Sequence, residues 1–114
     1  MNTPRLEVRF FRTATGAEPV REWLKDLPAA NRRQIGEDIK TVQFGWPLGM
    51  PLVRHLESGL REIRSNLGDR IARVLFVQDG ATMILLHGFI KKHQTTPKPD
   101  LDLARDRLKQ LKGR

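Results

Sequence analysis

Three closely spaced apolar segments in the second half of the chain most strongly limit how it can fold. They begin at Leu60, Arg73 and Leu85, and short turn-like stretches over residues 66–69 and 78–80 separate them. This spacing is typical of an antiparallel β-meander. Cations interrupt the apolar pattern on or beside the strands: Arg61, Arg64, Arg73, Lys91 and Lys92. Since like charges on neighbouring strands repel each other, the pattern predicts a sheet surface that binds a polyanion.

The residues before the meander predict one strand followed by two helices. Apolar and charged residues alternate over residues 6–11, which is typical of a half-buried strand. Apolar residues at helical spacing predict one helix that starts at Pro19 and another from about Ala29 to Phe44. We expect these helices to form an antiparallel hairpin that covers a sheet. Residues 46–58 contain two prolines and are predicted to form a long loop, of a kind that often carries function.

The last part of the chain predicts an extended segment and a final helix. Two prolines after Lys92 disfavour helix, and Asp100 is a good residue to cap the helix that follows. The order strand, helix, helix, three strands, helix predicts an α+β domain over residues 1–114. We expect an antiparallel sheet of about four strands, with the helical hairpin before it and a C-terminal helix after it. With the helices largely on one face, the other face is left for a ligand.

The composition of the chain restricts its partners and cofactors. The 114 residues carry a formal net charge of +8 and have a sequence pI of about 10.8, which favours anionic partners. With no cysteine and three scattered histidines, we expect neither a metal site nor another cofactor. No apolar run approaches the roughly 20 residues that span a bilayer. We therefore expect no membrane partner and a cytoplasmic location.

Two sequence blocks resemble those of a known family. They are Gly59-Leu60-Arg61-Glu62-Ile63-Arg64 and the block from Leu85 to Lys92, with Arg73-Val74-Leu75-Phe76 between them. Together with Pro19-Val20 and Trp23-Leu24, they resemble the phage-derived, HigB/RelE-like toxins of bacterial type II toxin–antitoxin systems. The resemblance implies a RelE-like fold, cleavage of mRNA, commonly on the ribosome, and a cognate antitoxin that is often a helix-turn-helix protein.

Other activities are compatible with the same resemblance. The RelE-like fold also includes ParE-like toxins, which act on DNA gyrase and cleave no RNA, so the fold alone does not determine activity. A non-catalytic binding module is a third alternative. We expect a metal-independent endoribonuclease, because the resemblance implies RNA cleavage and the charged meander suits a ribose-phosphate chain.

Five residues are the catalytic candidates for such a reaction. Metal-independent RNA cleavage needs a base for the 2′-hydroxyl, cations for the developing charge and an acid for the leaving oxygen. Arg64 and Arg73 suit the cationic role, because a guanidinium pairs with phosphate oxygens and stays charged. Lys91 and His93 are candidates for phosphate binding and proton transfer, and Glu62 for a base. Alternatively, Glu62 holds an arginine in place through a salt bridge.

Four further residues are predicted to contact the RNA: Arg54, Arg61, His87 and Lys92. His87 lies within an apolar strand, so a hydrogen-bonded core residue is the alternative there. The chain has no tyrosine, although some toxins of the RelE type place an aromatic hydroxyl near the site. The identity of the general acid is therefore left open.

Overall fold

The computed structural model describes residues 3–91 and 95–113, which form one β-sheet with helices packed on it. This part of the chain contains five strands and three helices. The strands are β1 (Glu7–Phe10), β2 (Val53–Glu57), β3 (Leu60–Asn66), β4 (Ile71–Asp79) and β5 (Thr82–Lys91). The helices are α1 (Pro19–Asp26), α2 (Ala29–Gly45) and α3 (Lys98–Lys112). The sheet order is β1-β5-β4-β3-β2, so the predicted α+β class, helical hairpin and C-terminal helix are confirmed.

Two details of the predicted sheet are wrong. The strand β2 lies inside residues 46–58, which were predicted to be a loop, and it pairs antiparallel with β3. Its first residue, Val53, is buried opposite Ile63. The hairpin of α1 and α2 connects β1, at one edge of the sheet, to β2, at the other edge. The neighbour of β1 is therefore β5, with which it pairs in parallel, Glu7 lying opposite Thr82. The described sheet is therefore mixed and has five strands.

Helices cover both faces of the sheet. The hairpin of α1 and α2 buries Val20, Ile35 and Val42 in a core with residues such as Ile63 and Phe76. On the opposite face, α3 contributes to a second core, whose buried members are Phe11, Leu60, Leu75, Leu86, Phe89, Ala104 and Leu108. The expectation of a face left open for a ligand is therefore wrong in part, because α3 covers some of that face.

The start of α3 differs from the prediction. The helix begins at Lys98, directly after Pro97, and Asp100 lies within its first turn rather than at the cap. Pro99 is tolerated there because the first turn of a helix does not need its N–H groups for intrahelical bonds. The carboxylate of Asp100 is consequently available for a tertiary contact, which it makes with β5.

The helix α1 approaches the sheet closely at Gly88 on β5. A Cβ atom placed on Gly88 would overlap the indole ring of Trp23 on α1.

We expect Gly88→Ala to lower the free energy of unfolding by about 1–3 kcal/mol through overpacking, as measured by urea denaturation. Gly36→Ala on α2 is the matched control, because a Cβ there would have no described atom within 4 Å. It is expected to raise stability by about 0.5–1 kcal/mol through helix propensity. Unchanged stability of Gly88→Ala would contradict this packing.

Candidate functional site

Charged side chains converge on the sheet face that carries α3. Arg64 on β3 lies directly opposite Arg73 on β4, and Glu62 lies opposite the core residue Leu75. On β2, Arg54 pairs with Glu62. Because alternate residues of a strand share a face and paired residues lie side by side, these four charged residues are neighbours. We call Arg54, Glu62, Arg64 and Arg73 the arginine–glutamate cluster.

The strand β5 adds three more side chains to the same face. Phe89 lies opposite Arg73, His87 lies opposite Leu75, and Lys91 lies opposite Ile71. Phe89 is buried, whereas Lys91 is exposed at the end of the strand. Two strand spacings separate β3 from β5, which places Glu62 and His87 about 10 Å apart along one row of the sheet.

Glu62 is the centre of the arginine–glutamate cluster. Its side chain is fully buried, and its Oε1 lies 3.9 Å from both Nε of Arg64 and Nη1 of Arg73. Its Oε2 accepts a hydrogen bond of 2.7 Å from the hydroxyl of Thr96, in the segment before α3. Two arginines directly opposite each other would otherwise repel, so the carboxylate between them makes their close approach tolerable. The salt bridge considered from the sequence is therefore present.

Arg73 lies beneath the surface of the site. Its side chain is fully buried, so the expectation that it belongs to an exposed cationic surface is wrong. It sits on the central strand β4, between Arg64 on one side and Phe89 on the other. Burial lowers the pKa of Arg73, the charge of Glu62 opposes this effect, and the charges of Arg64 and Arg54 add to it. The group stays charged in a protein, so Arg73 contributes positive charge without being exposed.

Arg64 connects the cluster to open space. Its side chain is 13% exposed, and it also lines a cavity of about 520 Å³ between α2 and the turn that joins β3 to β4. Arg54 is half-buried on β2, at the edge of the sheet. Arg64 and Arg54 are therefore the partly exposed cations of the cluster, whereas Arg73 and Glu62 are buried.

Arg61 lies on the other face of the sheet from the cluster. It alternates with Glu62 along β3, and its guanidinium stacks over Trp46, 5.1 Å from the ring centroid. Trp46 in turn packs edge-to-face against Phe76, with ring centroids 5.8 Å apart, and this contact anchors the partly buried tryptophan to the core. The sequence grouped Arg61 with the site, but the structure separates it from Arg54 and Arg64 by the thickness of the sheet.

His87 is paired with a residue whose tertiary role the sequence did not reveal. Its Nε2 lies 2.7 Å from Oδ1 of Asp100 on α3, and its ring stacks on Phe89 with centroids 5.4 Å apart. A carboxylate in this position fixes the orientation of an imidazole. The only indication in the sequence that these residues contact the sheet is that Thr96 and Asp100 flank two prolines just after the meander.

The helix α3 is held over the site by an ion pair at its middle. Arg105 donates hydrogen bonds to both carboxylate oxygens of Glu57 on β2, one of them from Nε at 3.0 Å. Its Nη1 also contacts Asp102 at 2.8 Å. These contacts join α3 to the edge strand that carries Arg54, so the helix and the site are positioned together.

Two of the predicted site residues, Lys92 and His93, lie outside the described residues. Within residues 3–91 and 95–113, no group of three or more histidine, cysteine, aspartate or glutamate side chains is arranged to hold a metal ion. Of the helices in that same part of the chain, none combines the length and apolar character needed to cross a bilayer.

The fold and the cluster define an α+β protein with a cationic site on one face of a mixed sheet. Residues 22–109 match a family model described as Phage derived protein Gp49-like (DUF891). The chain therefore belongs to this Gp49-like family, which is a RelE-like, toxin-like family of toxin–antitoxin systems. A comparison with curated proteins found no match. The matched range includes the whole arginine–glutamate cluster.

Proposed function

We propose that this protein is the HigB-like toxin of a type II toxin–antitoxin system and that it cleaves mRNA without a metal ion, on or off the ribosome. The observation that carries the proposal is the arginine–glutamate cluster, in which the guanidinium groups of Arg64 and Arg73 each lie 3.9 Å from one carboxylate oxygen of Glu62 and Arg54 lies opposite Glu62 on the next strand. This arrangement leaves an excess of positive charge beside an open cavity. Phosphate groups are the ligands that such a surface favours.

The proposed reaction is an attack of the ribose 2′-oxygen on the adjacent phosphorus. The bond between the 2′-oxygen and phosphorus forms as the bond to the 5′-oxygen breaks, which leaves a 2′,3′-cyclic phosphate and a 5′-hydroxyl. A base takes the proton of the 2′-hydroxyl, and an acid gives a proton to the departing 5′-oxygen. Arg64 and Arg54 stabilise the charge that develops on the non-bridging oxygens.

Glu62 and Arg73 act in this proposal as positioning residues. Both are fully buried, so neither touches the RNA. Glu62 holds Nε of Arg64 at 3.9 Å and thereby fixes the direction in which that guanidinium presents its donors. Arg73 neutralises Glu62 from below and adds positive potential at the phosphate.

Proton transfer is assigned in this proposal to Lys91, the last residue of β5, and to His93. Lys91 is exposed on the face of the cluster, and as an ammonium it can protonate the 5′-oxygen. His93 follows two residues later in the sequence and has the intrinsic pKa of a general base. His87 and Lys92 are proposed to contact the RNA.

The partner that we propose is a cognate antitoxin, a helix-turn-helix protein encoded beside the toxin. It would neutralise the toxin in the cytoplasm by covering the cluster or the helical hairpin with an acidic or apolar segment. Where cations carry this contact, the affinity is expected to fall as salt increases.

Primer extension on mRNA from cells that express the protein tests the proposal. We expect new 5′ ends soon after induction, and we expect the purified protein to produce 2′,3′-cyclic phosphate termini in the presence of EDTA. Growth arrest without new ends would contradict the nuclease activity, and DNA damage in those cells would indicate a ParE-like gyrase inhibitor. Expression without any growth defect would indicate a non-catalytic binding module.

A further inference from the structure

The cavity beside Arg64 differs in chemistry from the arginine–glutamate cluster. Its volume is about 520 Å³, which lies in the range of small-molecule sites. The carboxylates of Asp38 and Asp69 line it, and Arg64 is the residue that it shares with the cluster. Two carboxylates make the cavity unsuitable for a second phosphate, so its ligand is a group that donates hydrogen bonds.

The polar wall of the cavity is held in place by its own hydrogen bonds. Nε2 of Gln34 donates to both carboxylate oxygens of Asp38, at 3.3 and 3.2 Å. In the opposite wall, Oδ1 of Asn66 accepts the N–H of Gly68 at 2.9 Å. Asp38 is half-buried whereas Asp69 is exposed, so Asp38 is the better-fixed acceptor.

The remaining wall is apolar and suits a flat ligand. Pro51, Leu52 and Ile71 line it. Met50, the residue before Pro51, is 61% exposed and is among the most exposed large apolar side chains that the structure describes. Unpaired RNA bases are recognised by hydrogen bonds to their Watson–Crick edges and by stacking on aromatic rings or on the plane of an arginine. In this cavity Arg64 supplies such a plane, and the apolar wall supplies van der Waals contact.

We propose that this cavity is the subsite for a guanine base of the RNA, adjacent to the phosphate held by Arg64. Guanine presents two neighbouring donors, N1–H and the N2 amino group. They match the two oxygens of the Asp38 carboxylate when they take the place of the exposed Gln34 amide, whose single nitrogen donates to both oxygens in the free protein. Adenine and cytosine present an amino donor next to a ring acceptor, and uracil presents one N–H between two carbonyls. Asp38 would therefore select guanine, with Arg64 joining the base site to the phosphate site. This inference rests on the proposed RNA-binding function.

The test uses the full-length protein and short RNAs that it cannot cleave. Hexanucleotides with 2′-O-methyl groups throughout, composed of uridine except for one central guanosine, inosine or adenosine, are titrated by fluorescence anisotropy. We expect the guanosine oligonucleotide to bind about tenfold more tightly than the adenosine one. Inosine lacks the N2 amino group, so its oligonucleotide is expected to bind more weakly than that with guanosine.

Two isosteric substitutions remove a carboxylate in different places. Asp38→Asn is expected to abolish the preference for guanosine, because an amide replaces one acceptor by a donor. Asp79→Asn is the matched control, since Asp79 is exposed at the β4–β5 turn and lines a different cavity. It is expected to keep the preference of the wild type.

Equal affinity for the three oligonucleotides, absence of binding, or a guanosine preference that survives in Asp38→Asn would each overturn the subsite. A guanosine preference that Asp38→Asn removes supports it even if natural RNA is not cut, and then only the nuclease proposal fails. Conversely, if natural RNA is cleaved but the three oligonucleotides bind with equal affinity, the subsite is refuted and the nuclease proposal stands.

Discussion

Arg64→Ala is expected to reduce RNA cleavage by at least about 100-fold, the usual cost of removing one donor that stabilises transition-state charge. Arg64 is the cluster residue that reaches both the buried carboxylate of Glu62 and the open cavity. Because Arg73 still pairs with Glu62 in this variant, the fold is expected to persist. Rates of cleavage of a defined RNA by the purified protein, together with thermal unfolding curves, measure the two effects separately.

Arg61→Ala is the matched control for this prediction. Arg61 lies on the same strand as Arg64 but on the opposite face, over Trp46, so its loss is expected to change cleavage by no more than a few-fold. Arg64→Lys is expected to give an intermediate rate, since lysine keeps the charge but lacks the planar fork that pairs with phosphate. Full activity of Arg64→Ala would show that the wrong surface has been assigned.

The elements that local sequence patterns determine were predicted well. The helices α1 and α2 and the strands β3, β4 and β5 have periodic apolar residues and turn residues between them, and all five were located from the sequence. The strands β1 and β2 were harder to place. The sequence of β1 identifies a strand but not its parallel partner, and β2 is only five residues long and becomes a strand through pairing with β3.

The part of the candidate site that depends on the pairing of β3 with β4 could be predicted from the sequence. Two strands joined by a short turn must bring Arg64 close to Arg73, and the structure places them in direct register. The burial of Arg73 involves residues far along the chain, because Phe89 lies beside it on β5 and Thr96 donates a hydrogen bond to Glu62, its ion-pair partner. The separation of Arg61 from the site follows from the alternation of side chains along β3. The role of Asp100 required the position of α3, which no local pattern determines.

Arg73→Met is expected to lower the free energy of unfolding by about 3–5 kcal/mol, because removing one partner of a buried ion pair leaves the other charge uncompensated. Both Arg73 and Glu62 are fully buried in their shared contact. Urea denaturation measures the change. Arg70→Met is the control: Arg70 is exposed in the neighbouring turn, and its replacement is expected to change stability by no more than about 0.5 kcal/mol. Wild-type stability in Arg73→Met would contradict the buried pair.

The double variant Glu62→Leu/Arg73→Met separates the structural role of the pair from its role in positioning Arg64. Apolar residues of similar volume can replace both members of a buried ion pair at little cost, so the double variant is expected to be more stable than Arg73→Met. Cleavage is nevertheless expected to stay low, because Arg64 has lost the carboxylate that lies 3.9 Å from its Nε. Recovery of cleavage together with stability would mean that Glu62 and Arg73 only support the fold. Recovery of stability alone is the result that the positioning role requires.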